Sequence, residues 1–187
     1  AVYIQHILDV EAEWAIGHDG SLDIAIHARR NTDLPFLPRF GLRLFLPKEY
    51  DRVTYTGYGP GESYMDKHQA SRFGTFTARV EDMYVDYIHP QDHGSRWGCE
   101  QVTLDSERLG RMRFLADMPF SFQALSHTQE ELEARRHSFE LNKTDATVLC
   151  LDYKTSGVGS CYVGPPLAEK YQLKEENIAF CIRCEFQ

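Results

Sequence analysis

Leu22-Asp23-Ile24-Ala25-Ile26-His27-Ala28-Arg29 decides how the rest of the chain is read. Apolar and polar residues alternate through it with a period of two. One face of an extended strand is then apolar and the other wet, whereas a helix would space its apolar residues three or four apart. The same short period recurs outward from this stretch. Residues 41–46 (ending before Pro47), 52–56, 75–80, 83–89, 100–104, 111–115, 120–125, 146–151 and 178–186 are predicted strands. Turn signals divide them, among them Gly17-His18-Asp19-Gly20, Gly59-Pro60-Gly61, His93-Gly94-Ser95 and Gly164-Pro165-Pro166. Many short strands without regular intervening helices predict an all-β fold of antiparallel sheets packed face to face. One short surface helix is expected over about residues 129–136. Thr128 is its N-cap, with Glu131 three residues later, and Arg135, Arg136 and His137 at its end suit the helix dipole.

The chain has 187 residues, 42% of them hydrophobic and 26% charged, which is near the globular average and excludes a disordered chain. Residues 1–187 are read as a single domain, long enough to bury a sizeable core. No apolar run approaches the ~20 residues of a membrane-spanning helix. With 20 basic against 28 acidic residues the net charge is −8, and an acidic surface repels phosphate backbones, so neither membrane nor nucleic acid is an expected partner. The chain opens at Ala1 within an apolar stretch (Val2, Ile4, Ile7, Leu8), with no initiator Met and no signal-peptide pattern. A piece of a longer protein is expected, with an apolar edge around residues 2–8 prone to self-association.

Five cysteines, Cys99, Cys150, Cys161, Cys181 and Cys184, are an odd number without framework spacing and point to a reducing, cytoplasmic compartment. Cys181 and Cys184 have the spacing of half a zinc site. They lie on a predicted strand, where residues three apart face opposite ways, and no second such pair completes a tetrahedron. Structural cysteine is the favoured reading, and no metal ligand is assigned.

The turn His89-Pro90-Gln91-Asp92-His93 gathers two imidazoles and a carboxylate, but proline forbids the helical spacing that would align them, and a solvated turn is expected. Tyr55, Tyr58, Tyr64 and Trp97 could make a sugar-stacking platform, but ordinary core packing is the favoured reading. Glycoside hydrolysis needs two acids ~5–9.5 Å apart. Among 28 acids some pair is always that close, so spacing alone marks no catalytic centre.

The unusual turns, taken in order, resemble the C-terminal domain of family-2 β-galactosidases. Leu37-Pro38-Arg39-Phe40-Gly41 is similar to that family's LPRxG run. Gly57-Tyr58-Gly59-Pro60-Gly61-Glu62-Ser63-Tyr64-Met65-Asp66 resembles its GxGPxExYxD turn, the most specific of the matches. Tyr84, Tyr87 through Gly94, and Arg96 resemble its tyrosine-rich strand and PQExGxR turn. Phe120-Ser121-Phe122-Gln123-Ala124-Leu125, the capped helix and His137 match FSxxAL…EELxxAxH. Asp152, Gly157-Val158-Gly159 and Gly164-Pro165 match the closing D…GxG…GP loop. The motifs run in order over about residues 37–187. Physically, Gly57, Gly59 and Gly61 permit positive φ, and Pro60 locks the corner between them. Glu62 is expected to accept backbone N–H groups, and Arg39 and Arg96 to clamp carboxylates.

The resemblance implies an antiparallel supersandwich like that of the galactose mutarotases, forming the later part of a longer domain. It also implies that the two catalytic glutamates lie on a separate (β/α)₈ barrel, with magnesium and sodium bound by other domains. This chain alone would then be inactive. Its partners would be the remaining domains, a galactoside substrate and, in the parent enzyme, further copies. The motif residues Arg39, Gly41, Gly59, Pro60, Glu62, Tyr64, Asp66, Arg96, Gly157, Gly159 and Gly164 are read as architectural. In the family, the loop at residues 157–165 faces the sugar with a tryptophan or a cysteine shortly before the GP turn. Val163 stands in roughly that slot and Tyr162 precedes it, so Tyr162 and Val163 are the candidate substrate contacts, with packing of Tyr162 against Pro165 or Pro166 as the alternative. A stand-alone carbohydrate-binding or mutarotase-like module is the second reading; it needs a histidine acid and a carboxylate base, which no motif marks.

Overall fold

A computed structural model describes residues 5–159 and 165–187. Among these residues nine strands, β1 (Leu8–Ile16), β2 (Leu22–Arg30), β3 (Arg39–Pro47), β4 (Arg52–Gly59), β5 (Arg72–Arg79), β6 (Arg96–Ser106), β7 (Gly110–Leu125), β8 (Ala146–Thr155) and β9 (Asn177–Phe186), pair throughout in antiparallel fashion. The fold is an all-β sandwich. Its main path runs β1-β2-β9-β7-β6-β4-β5, and β8 joins β7 to β3.

The long strand β7 belongs to both layers. Its Met112–Ala116 half pairs β9, and its Ser121–Leu125 half pairs β8. Pro119, which has no N–H to donate, falls in the gap between these ladders, where no partner is lost. Between the layers lie Ile24, Phe114, Phe180 and Ile182 from one side and Leu46, Phe122, Leu149 and Leu151 from the other. Tyr153 of β8 meets Phe180 of β9 edge-on at 5.8 Å.

Several sequence expectations are corrected. Residues 83–89 form no strand: a 3-10 turn at Glu81–Met83 is followed by irregular chain. Their β-favouring side chains find no neighbouring ladder; Met83 is buried, while Ile88 is 97% exposed. The predicted strands 111–115 and 120–125 are one element, because β7 changes partners without ending. Strand β1 was not anticipated, although Leu8, Val10, Ala12, Trp14 and Ile16 alternate through it.

The helix α1 (Gln129–Ala134) is shorter than expected, since Arg135 is already extended and no basic residue lies in the last turn. Its start is as read, with Thr128 Oγ1 accepting from the Glu131 N–H at 3.1 Å. Glu131 does not close the capping box. It instead accepts from Arg135 and Asn142, which hold its carboxyl down at about 2. Among the described residues no helix is long and apolar enough to cross a membrane.

Candidate functional site

Hydrogen bonds link Arg39, Asp92, Gln123 and Asp152 across the β7–β8–β3 layer. At its centre lies Asp152 of β8, almost wholly buried. Arg39, at the start of β3, donates to it through Nε (3.2 Å) and Nη2 (2.5 Å), and through Nη1 to Asp92 (2.9 Å). Burial pushes the Asp152 carboxyl up to about 6, with Arg39 opposing; burial also works against the charge on Arg39, but Asp152 outweighs it and the guanidinium is raised. The approach is close because position 41 is glycine. A Cβ there would lie 2.3 Å from the Leu151 carbonyl oxygen and 2.5 Å from Asp152 Cα, against backbone that cannot yield.

Within the segment 89–93, expected as a solvated turn, His89, Gln91 and Asp92 are exposed while Pro90 and His93 are not. His93 is buried, Asp92 bridges Arg39 and Gln123, and Gln123 Nε2 also donates to the His93 carbonyl. Gln123 in turn accepts from Gln129 at 2.8 Å, so β3, β7, α1 and this turn share one network.

A second knot holds the 57–66 turn. Glu62 accepts from the Gly94 N–H (3.0 Å), Lys67 Nζ (3.0 Å), Tyr64 Oη (3.4 Å) and Tyr87 Oη. Burial alone would raise its carboxyl. The bonds from Tyr87, Gly94 and Lys67 outweigh that and hold it below the usual carboxylate range. Tyr64 is buried behind it. Arg96 clamps no carboxylate, contrary to expectation. Its donors go to the carbonyls of Pro60, Gly94 and Ser95 and to Tyr55 Oη, because it sits under the turn where backbone oxygens crowd. Gly57, Gly59 and Gly61 make no use of the positive φ open to them; Gly57 and Gly59 end β4, where close approach of Cys99 and Tyr55 leaves no room for a side chain.

The same turn reaches across to the Gly-Val-Gly segment. Asp66 Oδ1 accepts from the Val158 N–H (3.1 Å) and Oδ2 from the Gly159 N–H (2.9 Å). Gly157 makes room for this: a Cβ would stand 2.5 Å from Asp66 Cγ and 2.7 Å from a Leu167 methyl. On either side Ser156 Oγ bridges Leu37 and Leu173, and Gln172 holds the Leu167 carbonyl. Tyr162, Val163 and Gly164 lie outside the described residues. So does Cys161; the other cysteines are free, with Cys99, Cys150 and Cys184 buried.

The four-aromatic platform does not form. Tyr55 is core, against Phe76 and Phe122, and Tyr64 faces Glu62. Tyr58 and Trp97 do meet (4.9 Å), but the third ring is His68, stacked on Trp97 at 4.4 Å, which sequence spacing did not reveal. No group of three or more potential metal ligands occurs among the described residues.

A family model described as beta galactosidase small chain matches residues 1–184. The chain is 45% identical over 172 residues to a beta-galactosidase of Actinobacillus pleuropneumoniae, covering 91% of this chain and 16% of that protein. It is 35% identical over 173 residues to that of Staphylococcus xylosus (92% and 17%), and 28% identical over 172 residues to that of Streptococcus thermophilus (91% and 17%). The chain thus spans about a sixth of the length of these relatives.

Proposed function

The chain belongs to the beta galactosidase small chain family, and from that premise we propose that it is the non-catalytic C-terminal β-sandwich part of a family-2 enzyme that hydrolyses terminal β-D-galactosides such as lactose. Its role is to mount the 157–165 loop at the rim of a sugar pocket built elsewhere in the parent protein. The observation that carries this reading is the pair of hydrogen bonds from Val158 and Gly159 to Asp66, which tie that loop's first turn to the most specific motif of the sequence.

The carboxylates of the site are engaged in holding structure. Glu62, Asp66, Asp92 and Asp152 each accept from arginine, lysine, glutamine, tyrosine or backbone donors. In this reading none of them is the proton donor or the nucleophile of glycoside cleavage, which the resemblance puts on a separate barrel. Magnesium and sodium, which the family resemblance implies, belong in this reading to other domains of the parent. Free cysteines agree with a cytoplasmic enzyme. The partners are the other domains, the galactoside and further copies of the parent.

In this reading Tyr162 supplies a flat face and a hydroxyl where the family carries tryptophan or cysteine, and Val163 supplies neither. The test is steady-state kinetics on lactose with the full-length parent. Tyr162→Ala should weaken substrate binding by about 1 kcal/mol, with glucose as acceptor affected more than galactose. Asp66→Ala should act in the same direction by releasing the loop. Unchanged KM and kcat in both variants would return the loop to pure architecture. The purified 187-residue chain should not turn over a chromogenic β-galactoside; turnover abolished by mutating a residue of this chain would overturn the proposal.

A further inference from the structure

β1 carries an uncovered continuation of the core face. Its Val10, Ala12 and Trp14 stand opposite Ala28, Ile26 and Ile24 of β2, and these three β2 residues are buried. On β1 itself Val10 is 52%, Trp14 57% and Ile16 83% exposed. The sheet path ends at β1, so among the described residues its outer edge pairs with nothing. An exposed edge bearing an apolar row is a template for a further strand.

The other face of β1 selects the occupant. Asp9, Glu11 and Glu13 alternate with the apolar row and all three are exposed, Asp9 being paired with His6 and Arg29. A second copy pairing antiparallel about a two-fold axis would set this acidic row against itself, and like charges facing across strands destabilise a ladder. A different strand carrying basic residues on that face meets no such repulsion. The curated relatives have about five sixths of their length beyond the region matched here, ample chain to provide it.

We propose that β1 pairs with a strand from the remainder of the parent β-galactosidase polypeptide, one that sets apolar residues beside Val10, Trp14 and Ile16 and lysine or arginine beside Glu11 and Glu13. This rests on the reading that the chain is part of a larger β-galactosidase. Hydrogen exchange of residues 8–16, measured by mass spectrometry in the full-length parent and in the 187-residue chain, tests it. Exchange should be at least about tenfold slower in the parent. The exposed pair Glu11→Lys and Glu13→Lys, introduced together in the parent, should return it toward the rate of the chain alone while β2 stays protected. Equal exchange in both forms overturns the inference, as does protection in the parent that survives the charge reversal. Protection in the chain alone that rises with concentration, with a dimer in light scattering, assigns the edge to a second copy and also overturns it. Lactose hydrolysis by the parent is read separately. An active parent with an unprotected β1 defeats this inference alone, and a protected β1 in a parent that cleaves no galactoside defeats only the functional reading.

Discussion

Arg39 holds Asp152 through two hydrogen bonds from one edge of its guanidinium, while its third nitrogen reaches Asp92. The carboxylate is almost wholly buried and the guanidinium a quarter exposed, so the pair is neither a surface ion pair nor a fully dry one. It joins the first residue of β3 to the middle of β8 and fixes the segment 89–93 against both.

Removing one partner should cost more than removing both. Arg39→Met leaves a buried carboxylate without its counter-charge, at a cost of about 3–5 kcal/mol in urea denaturation. Adding Asp152→Asn should recover a substantial part of that loss. A double variant no more stable than Arg39→Met would contradict the coupling.

Asp152 also sets a pH dependence. Its carboxyl is raised to about 6 in the fold, against ~3.9 in an unfolded chain. The native state therefore binds more protons than the unfolded state between these values. The contribution is complete below about pH 4 and is lost as pH rises through about 6. The stability of the wild type minus that of Asp152→Asn should fall across this window; a difference that rises or stays flat would refute the assignment.

Glu62 should act with the opposite sign. Its carboxyl is held below the ordinary range by Tyr87, Gly94 and Lys67, despite burial. Its contribution is present above ~4.3, the unfolded value, and is lost as pH falls through the lower folded value. Glu62→Ala strips the acceptor from a partly buried N–H and should cost about 1–3 kcal/mol near neutral pH. Two-dimensional NMR should then show the 57–66 and 93–96 turns changing together.

Gly157→Ala tests the loop mount. The added methyl would stand 2.5 Å from the Asp66 carboxylate, so Asp66 or the loop must move. A stability loss of about 1–3 kcal/mol is expected, with a higher KM for lactose in the full-length parent. A variant with native stability and native KM would show the contact to be slack.

Thiol labelling should follow burial. Burial pushes Cys150 and Cys184 up to about 11 and raises Cys99 as well, while Cys181 is only partly buried. Mass spectrometry after brief labelling of the native chain should find Cys181 modified before these three, because only an accessible thiolate reacts.

The alternation in residues 22–29 and its repeats determined the fold class, because side-chain period follows directly from backbone geometry and needs no knowledge of the partner strand. The spacing of Thr128 and Glu131 likewise located the start of α1, since capping is a contact within one turn. The motif order pointed to the family and to Asp66, Glu62 and Arg39 as residues of interest. The destination of each polar group came only from the tertiary structure. Glu62 was expected to bond within its own loop and reaches Gly94, 32 positions on; Arg96 was expected to grip a carboxylate and finds carbonyls instead; residues 83–89 have strand composition and no strand beside them. A strand needs a neighbour and a buried charge needs a counterpart, and both are supplied by chain distant in sequence. The covered face of β2 and the uncovered one of β1 look alike as strings of letters. What separates them is whether another layer lies above, and packing alone decides that.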